Sequence, residues 1–174
     1  MSRINYDLTR IKAFVFDVDG VLSPSTIPLS ESGVPTRMVN IKDGYALQLA
    51  IKHGYRIAII TGADSQAIRV RFEGLGITDI YLKASQKIPI LKDWMTRNNL
   101  QSEEVVYVGD DIPDIEAMKV VGLAVAPADA ADDVKEIAGY ISPVNGGYGV
   151  GRDVVEQVMR ANGDWMSSAK AFGW

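Results

Sequence analysis

The sequence predicts an α/β protein built on a doubly wound, mostly parallel sheet. Three observations predict it. Short, continuous apolar runs such as AFVFD, RIAIIT and VVYVGDD have the character of strands buried on both faces. Stretches with apolar residues at helical spacing separate these runs, so strands and helices alternate and build βαβ units. Reactive side chains (Asp17, Thr61, Asp110) end three of the runs, where folds of this kind bind their ligands.

The elements follow in order. AFVFD is the first strand. Residues 21–42, VLSPSTIPLSESGVPTRMVNIK, hold three prolines, and Ser32-Gly33 lies between two stretches of mixed β character. This predicts an extended hairpin flap over about residues 23–41. In DGYALQLAIKHGY, Leu47, Ala50 and Ile51 share a helical face, and Gly54 suits the helix end. RIAIIT is the next strand. Asp64 or Ser65 is placed to cap the following helix, with Ile68, Phe72 and Leu75 inward and Gly76 ending it. DIYLK is a strand, and Ser85 caps a helix that turns Ile88, Leu91 and Met95 inward. After VVYVGDD, Pro113 suits the first turn of a helix. LAVAP is a strand, residues 131–138 a short helix and YIS a last strand. Residues 152–162 form the final helix, with Val155, Val158 and Met159 on one side. The tail, about residues 164–174, is apolar but aperiodic. Its Trp165 and Trp174 read equally well as a core plug and as a surface for a partner.

At 174 residues the chain has the length of one ordinary domain, here taken as 1–174, and a hydrophobic content of 47% supplies one sizeable core. A net charge of -4 argues against nonspecific nucleic-acid binding, which needs a basic face. It leaves room for an anionic substrate held by a local cluster of Lys and Arg. The absence of cysteine excludes disulfides, thiolate metal sites and cysteine nucleophiles. MSRINYDLTRIK lacks the apolar core of a signal peptide, and no run approaches the roughly 20 apolar residues of a membrane span. The expectation is a soluble, cytoplasmic protein without membrane or nucleic-acid partners.

Asp17, Asp19, Asp110, Asp111 and Asp114 would crowd carboxylates at one rim of the sheet, raising their pKa values by mutual repulsion. A divalent cation resolves that repulsion. All-oxygen ligands select a hard ion, and Mg²⁺ is expected because it tolerates few protein ligands. The metal would neutralise a phosphate dianion whose oxygens Lys87 and Thr61 can hold. A carboxylate is a competent nucleophile toward phosphorus, and Asp19 is placed to give a proton to the leaving oxygen and then take one from water. Each feature has a bland reading. Asp-Val-Asp-Gly alone reads as a turn, Lys87 as a solvated lysine, and Gly-Asp-Asp as a helix start that sets acids against the dipole. Those readings would all have to coincide at one rim. A calcium loop fails, because its sixth position is Leu22 and its twelfth is Pro28. His53, near a helix C-terminus, reads as structural, and Arg69 and Arg71 as a solvated face.

DVDGVLS, IITG, Lys87 and GDDIPD resemble, in order and spacing, the four motifs of the haloacid dehalogenase-like (HAD) superfamily of phosphatases. The resemblance implies a HAD-like Rossmannoid fold, with Asp17 as nucleophile and Asp19 as general acid/base. It puts Thr61, with Gly62, and Lys87 on the phosphate. Metal ligands would be Asp17, the backbone carbonyl of Asp19, and Asp110. Asp111 and Asp114 would act through water or by orienting Lys87. Enzymes of this superfamily usually seal the site with a cap domain. Here residues 20–60 are filled by the flap, one helix and one strand, and residues 62–86 by one helix and one strand, so no cap domain fits.

That capless layout, with NIKDGYALQLA and GGYGVGRDVVEQVM, is similar to the 3-deoxy-D-manno-octulosonate 8-phosphate (KDO 8-phosphate) phosphatase group. The similarity implies a homotetramer in which flap hairpins form a central barrel and neighbouring chains cover each site. The tail would reach toward a neighbour's site. It also implies hydrolysis of KDO 8-phosphate in lipopolysaccharide precursor synthesis. A nine-carbon sialic-acid-type 9-phosphate (KDN or N-acylneuraminate) is the alternative substrate, and a non-catalytic Mg²⁺-binding regulatory subunit the alternative class. Arg152, Lys42 and Ala63 are the substrate-binding candidates, Arg152 because a guanidinium can grip a sugar-acid carboxylate with two bonds. Ala63 departs from the group, which often has Arg or Glu there, and leaves the choice of sugar open.

Overall fold

The computed structural model describes residues 3–173. Six parallel strands form one sheet: β1 (Ala13–Phe16), β2 (Arg56–Ile60), β3 (Asp79–Tyr81), β4 (Val105–Val108), β5 (Leu123–Ala126) and β6 (Tyr140–Ile141). Their spatial order is β3-β2-β1-β4-β5-β6. In register, Phe16 of β1 lies beside Ile59 of β2 and Val108 of β4. The chain winds outward from β1 through β2 to β3, crosses back to β4, and winds outward the other way. The strand order therefore reverses between β1 and β4, and a crevice opens there at the carboxyl ends of the strands.

The alternation of side chains along β1 divides the core. Phe14 and Phe16 face one layer with Ile57 and Ile59 of β2, under α1 (Ile41–Lys52), α2 (Gln66–Glu73) and α6 (Val150–Ala161). Ala13 and Val15 face the other with Ala58 and Ile60, under α3 (Lys87–Arg97), α4 (Ile115–Met118) and α5 (Asp132–Ile137). All four residues of β1 are fully buried, which is why this strand reads as a continuous apolar run.

Several details differ from the sequence-based expectation. The N-cap of α3 is Gln86, not Ser85, so Lys87 is its first residue. Trp94 is fully buried beside Leu91 and Met95 and donates its Nε1–H to Asp79, whereas Ile88 is only half-buried. Ser65 is the N-cap of α2, but its side chain bonds no N–H of the first turn, and Asp64 pairs instead with Lys83 at 2.9 Å. Pro113 sits in a 3-10 turn, Ile112–Asp114, that leads into α4. The final helix begins at Val150, earlier than expected. Its N-cap is Gly149, which has no side chain, and Asp43 of α1 supplies the missing acceptor through Oδ1 to the N–H of Arg152 at 2.6 Å.

The hairpin is shorter than the predicted flap. It has one antiparallel bridge, Leu29 to Pro35, closed by N–H bonds from Ser30 to Val34 O (2.9 Å) and from Thr36 to Pro28 O (2.8 Å). Prolines at 28 and 35 cannot donate, so the ladder does not extend. Trp165 is a core plug: it is 8% exposed, edge-on to Tyr45 and under the guanidinium of Arg152. Trp174 lies outside the described residues. The tail docks on α1 of its own chain, with Tyr45 donating to Ala171 O and Lys170 Nζ donating to Lys52 O at 3.0 Å. No helix among the described residues is long and apolar enough to cross a membrane.

Candidate active site

Asp17 is the first residue past β1, and its N–H donates to Val108 O at 3.1 Å, extending the ladder to β4 by one bond. The chain then turns sharply, the N–H groups of Leu22 and Ser23 both donating to Val18 O at 2.9 Å. Gly20 makes the turn possible with φ +82°, and a Cβ there would collide with Oδ2 of Asp110. The end of β1 and the end of β4 thus approach each other so closely that only glycine fits between them.

Beyond β4, Asp114 is completely buried. Its Oδ1 accepts from Lys87 Nζ and from the Tyr107 hydroxyl, both at 2.7 Å, and its Oδ2 accepts the N–H of Asp110 at 3.1 Å. Asp114 therefore holds Lys87 and the loop after β4. Lys87 Nζ also donates to Asp17 Oδ2 at 2.6 Å, and Asp17 Oδ1 accepts the N–H of Val18 at 2.6 Å. A cation in the first turn of a helix opposes the helix dipole, and here two carboxylates offset it. Burial works against the charge of Lys87, but Asp17 and Asp114 outweigh it and raise its pKa.

The carboxylates are strained electrostatically. Burial, then repulsion from Asp114, pushes the Asp17 pKa up to about 6, against the pull of Lys87. Burial, with Asp17 and Asp114, pushes Asp110 up to about 8. One oxygen from each of Asp17, Asp110 and Asp114 lies within a common 4.8 Å. Both oxygens of Asp114 are already bonded to protein, and the carboxylate of Asp110 accepts no hydrogen bond among the described residues. An all-oxygen set, crowded and short of positive charge, fits a hard divalent cation, with Asp17 and Asp110 as the side chains facing it.

A cleft of about 420 Å³ gathers Asp17, Asp19, Thr61, Gly62, Ala63, Lys87, Asp110, Asp111 and Asp114 around one space. Thr61 follows β2, is 1% exposed and accepts the N–H of Ala63 on its Oγ1 at 3.2 Å. Asp111 is exposed and caps the following turn through the N–H of Ile112 at 2.8 Å. Two sequence-based candidates do not line the cleft. Lys42 is exposed in the first turn of α1. Arg152, the expected carboxylate grip, is held elsewhere: its Nε donates to Glu156 at 2.6 Å, and its guanidinium stacks 4.5 Å from the Trp165 ring and 5.5 Å from that of Tyr45.

Sequence reasoning missed Arg37. From the hairpin, its Nε donates to Asp19 Oδ1 at 2.6 Å and its Nη2 to Oδ2 at 2.7 Å. The available signal was an arginine soon after DVDG with only Glu31 as an acid in the intervening loop. Ser25, and Ser85, which the sequence offered only as a helix cap, also line the cleft.

An acid pair past the first strand, a threonine past the second, a buried lysine and an acidic loop, all meeting at the reversal of strand order, define a phosphoryl-handling hydrolase. The family model described as haloacid dehalogenase-like hydrolase matches residues 60–152, and the chain belongs to that family. Within it, the chain is similar to the 3-deoxy-D-manno-octulosonate 8-phosphate phosphatase KdsC of Escherichia coli K12. The two are 36% identical over 153 residues, 88% of this chain and 81% of the relative. Among solved structures, the corresponding phosphatase of Yersinia pestis superposes with a TM-score of 0.87 at 33% identity, covering 91% of this chain and 85% of that one. The Moraxella catarrhalis phosphatase, solved in complex with magnesium ion, phosphate ion and KDO, gives 0.86 at 30% identity, covering 90% of each chain. This chain is thus a HAD phosphatase of the KdsC-like kind.

Proposed function

We propose that this chain is a Mg²⁺-dependent phosphomonoesterase that converts KDO 8-phosphate to the free sugar acid and inorganic phosphate, in lipopolysaccharide precursor synthesis. The observation that carries it is Asp17, fixed by Lys87 and Val18 at the mouth of β1 beside Asp110. An Asp17 oxygen attacks phosphorus, the bond from phosphorus to the sugar oxygen breaks, and the leaving oxygen takes a proton from Asp19. Water then attacks the aspartyl-phosphate, giving a proton back to Asp19. The bond from phosphorus to Asp17 breaks, and phosphate leaves. Lys87 and Thr61 hold the phosphoryl oxygens, and Gly62 lets the group approach the backbone. Asp114 keeps Lys87 in place, and Asp111 caps the loop that carries Asp110. Mg²⁺, held by Asp17, Asp110 and the backbone carbonyl of Asp19, supplies charge neutralisation when bound.

The hairpin supports assembly as a homotetramer. Leu29, Val34, Met38, Val39 and Ile41 are each at least half exposed, an apolar strip that one chain leaves uncovered. A neighbouring chain would then close the cleft, which no cap domain covers. A single domain and a cytoplasmic location complete this reading. Ala63 at the rim, small and uncharged, favours some tolerance of nine-carbon 9-phosphates. A panel of phosphorylated sugar acids assayed with Mg²⁺ and with chelator tests it. Release of phosphate fastest from KDO 8-phosphate is expected. A nine-carbon ester better by tenfold would replace the sugar, and inertness toward every ester would leave a metal-binding regulatory subunit.

A further inference from the structure

Asp19 has a partner of its own that the proposed chemistry does not use. Lys87 is committed to Asp17 and Asp114, and Arg37 alone among the described cations reaches Asp19, with a two-pronged grip on both oxygens. From Pro28 to Val39 every residue is exposed except Arg37, whose side chain is only 13% exposed. The hairpin therefore turns one residue inward, and that residue is spent on the carboxylate beside the nucleophile. A two-bond guanidinium–carboxylate pair fixes the plane of the carboxylate as well as its position.

We propose that Arg37 is a positioning residue that sets the orientation of Asp19 for proton transfer to the leaving oxygen, tying the hairpin to that step. The inference rests on the phosphatase reading and deepens it. Without Arg37, Asp19 loses its fixed plane while Asp17 and Lys87 keep their partners. The defect then depends on how much the leaving group needs a proton. A sugar alcohol needs one, whereas nitrophenolate leaves without it.

The test compares kcat/KM for KDO 8-phosphate and for 4-nitrophenyl phosphate, with Mg²⁺, in wild type and in Arg37→Ala, Arg37→Gln, Arg37→Lys and Asp19→Asn. The glutamine variant, close in size, serves if the alanine variant folds poorly. Losing Arg37 should cost roughly tenfold or more on the sugar ester and less than about threefold on the aryl ester, with Arg37→Lys between it and wild type. Added to Asp19→Asn, it should cost nothing further, because both act through one group. Equal losses on the two esters, or none on either, would overturn the inference while the phosphatase reading stood. A wild type inert toward both esters would overturn the reading and the inference together.

Discussion

Two cations serve three of the carboxylates that line the cleft, and they are held differently. Lys87 stands at the start of α3, 5% exposed, locked between Asp17 at the end of β1 and Asp114 past β4. Arg37 stands on a hairpin held by a single bridge, paired with an Asp19 whose side chain is 34% exposed. The first pair belongs to the sheet. Its geometry is over-determined by strand register, the Tyr107 hydroxyl and the close approach at Gly20. The second pair belongs to a loop and is fixed mainly by its own two bonds. On the proposed chemistry, the first pair holds the nucleophile and must not move, and the second attends the group that exchanges protons with whatever leaves.

The comparison breaks most sharply at Asp17. Asp17→Asn keeps the shape and loses the nucleophilic anion, so turnover of KDO 8-phosphate should fall at least ~10³-fold. Near-wild-type turnover, with deamidation excluded by mass spectrometry, would remove Asp17 from the chemistry. Lys87→Met comes next. It strands two buried carboxylates and should cost about 3 kcal/mol or more in the metal-free protein, a fall in Tm of roughly 6 °C or more by calorimetry.

A smaller effect is pH-linked. The folded pKa values of Asp110 (about 8) and Asp17 (about 6) lie above that of an ordinary, unfolded-state carboxyl. The folded state therefore binds more protons across that window, and metal-free stability falls as pH rises from about 4 to about 8. Calorimetry should show Tm lower at pH 8 than at pH 5, a gain from Mg²⁺ that is larger at pH 8, and a flatter profile in Asp110→Asn. Smallest is Arg37→Ala, whose partly exposed pair should contribute no more than about 1 kcal/mol to stability. A thermal loss as large as that of Lys87→Met would show that the hairpin pair is structural.

The same division explains what was legible in the sequence. Asp17, Thr61 and Asp110 terminate buried strands, and a continuous apolar run ending in a polar residue marks both the strand and its rim position. Lys87 was legible only through the family's motif order, since a lone lysine after a strand carries no signal of burial. Arg37 left only the cue of a cation with few acids near it in sequence, because periodicity fades in a proline-interrupted loop and its partner Asp19 lies outside the hairpin. Arg152 misled for a related reason. A cation in the first turn of α6 looked uncompensated, yet Glu156 one turn on, and aromatic rings from α1 and from the tail, hold it. The start of α6 was likewise set by Asp43, which is distant in sequence and close in space.

The central claim is that Asp17 itself carries the phosphoryl group between the two steps. Its most direct test is rapid acid quench of enzyme turning over KDO 8-phosphate with Mg²⁺, followed by peptide mass spectrometry. Asp19→Asn serves in parallel, to slow hydrolysis of the intermediate. The account predicts a phosphate on Asp17 in the quenched samples and none in Asp17→Asn. Phosphate on another residue, or turnover through a burst with no phosphorylated peptide in either enzyme, would contradict it.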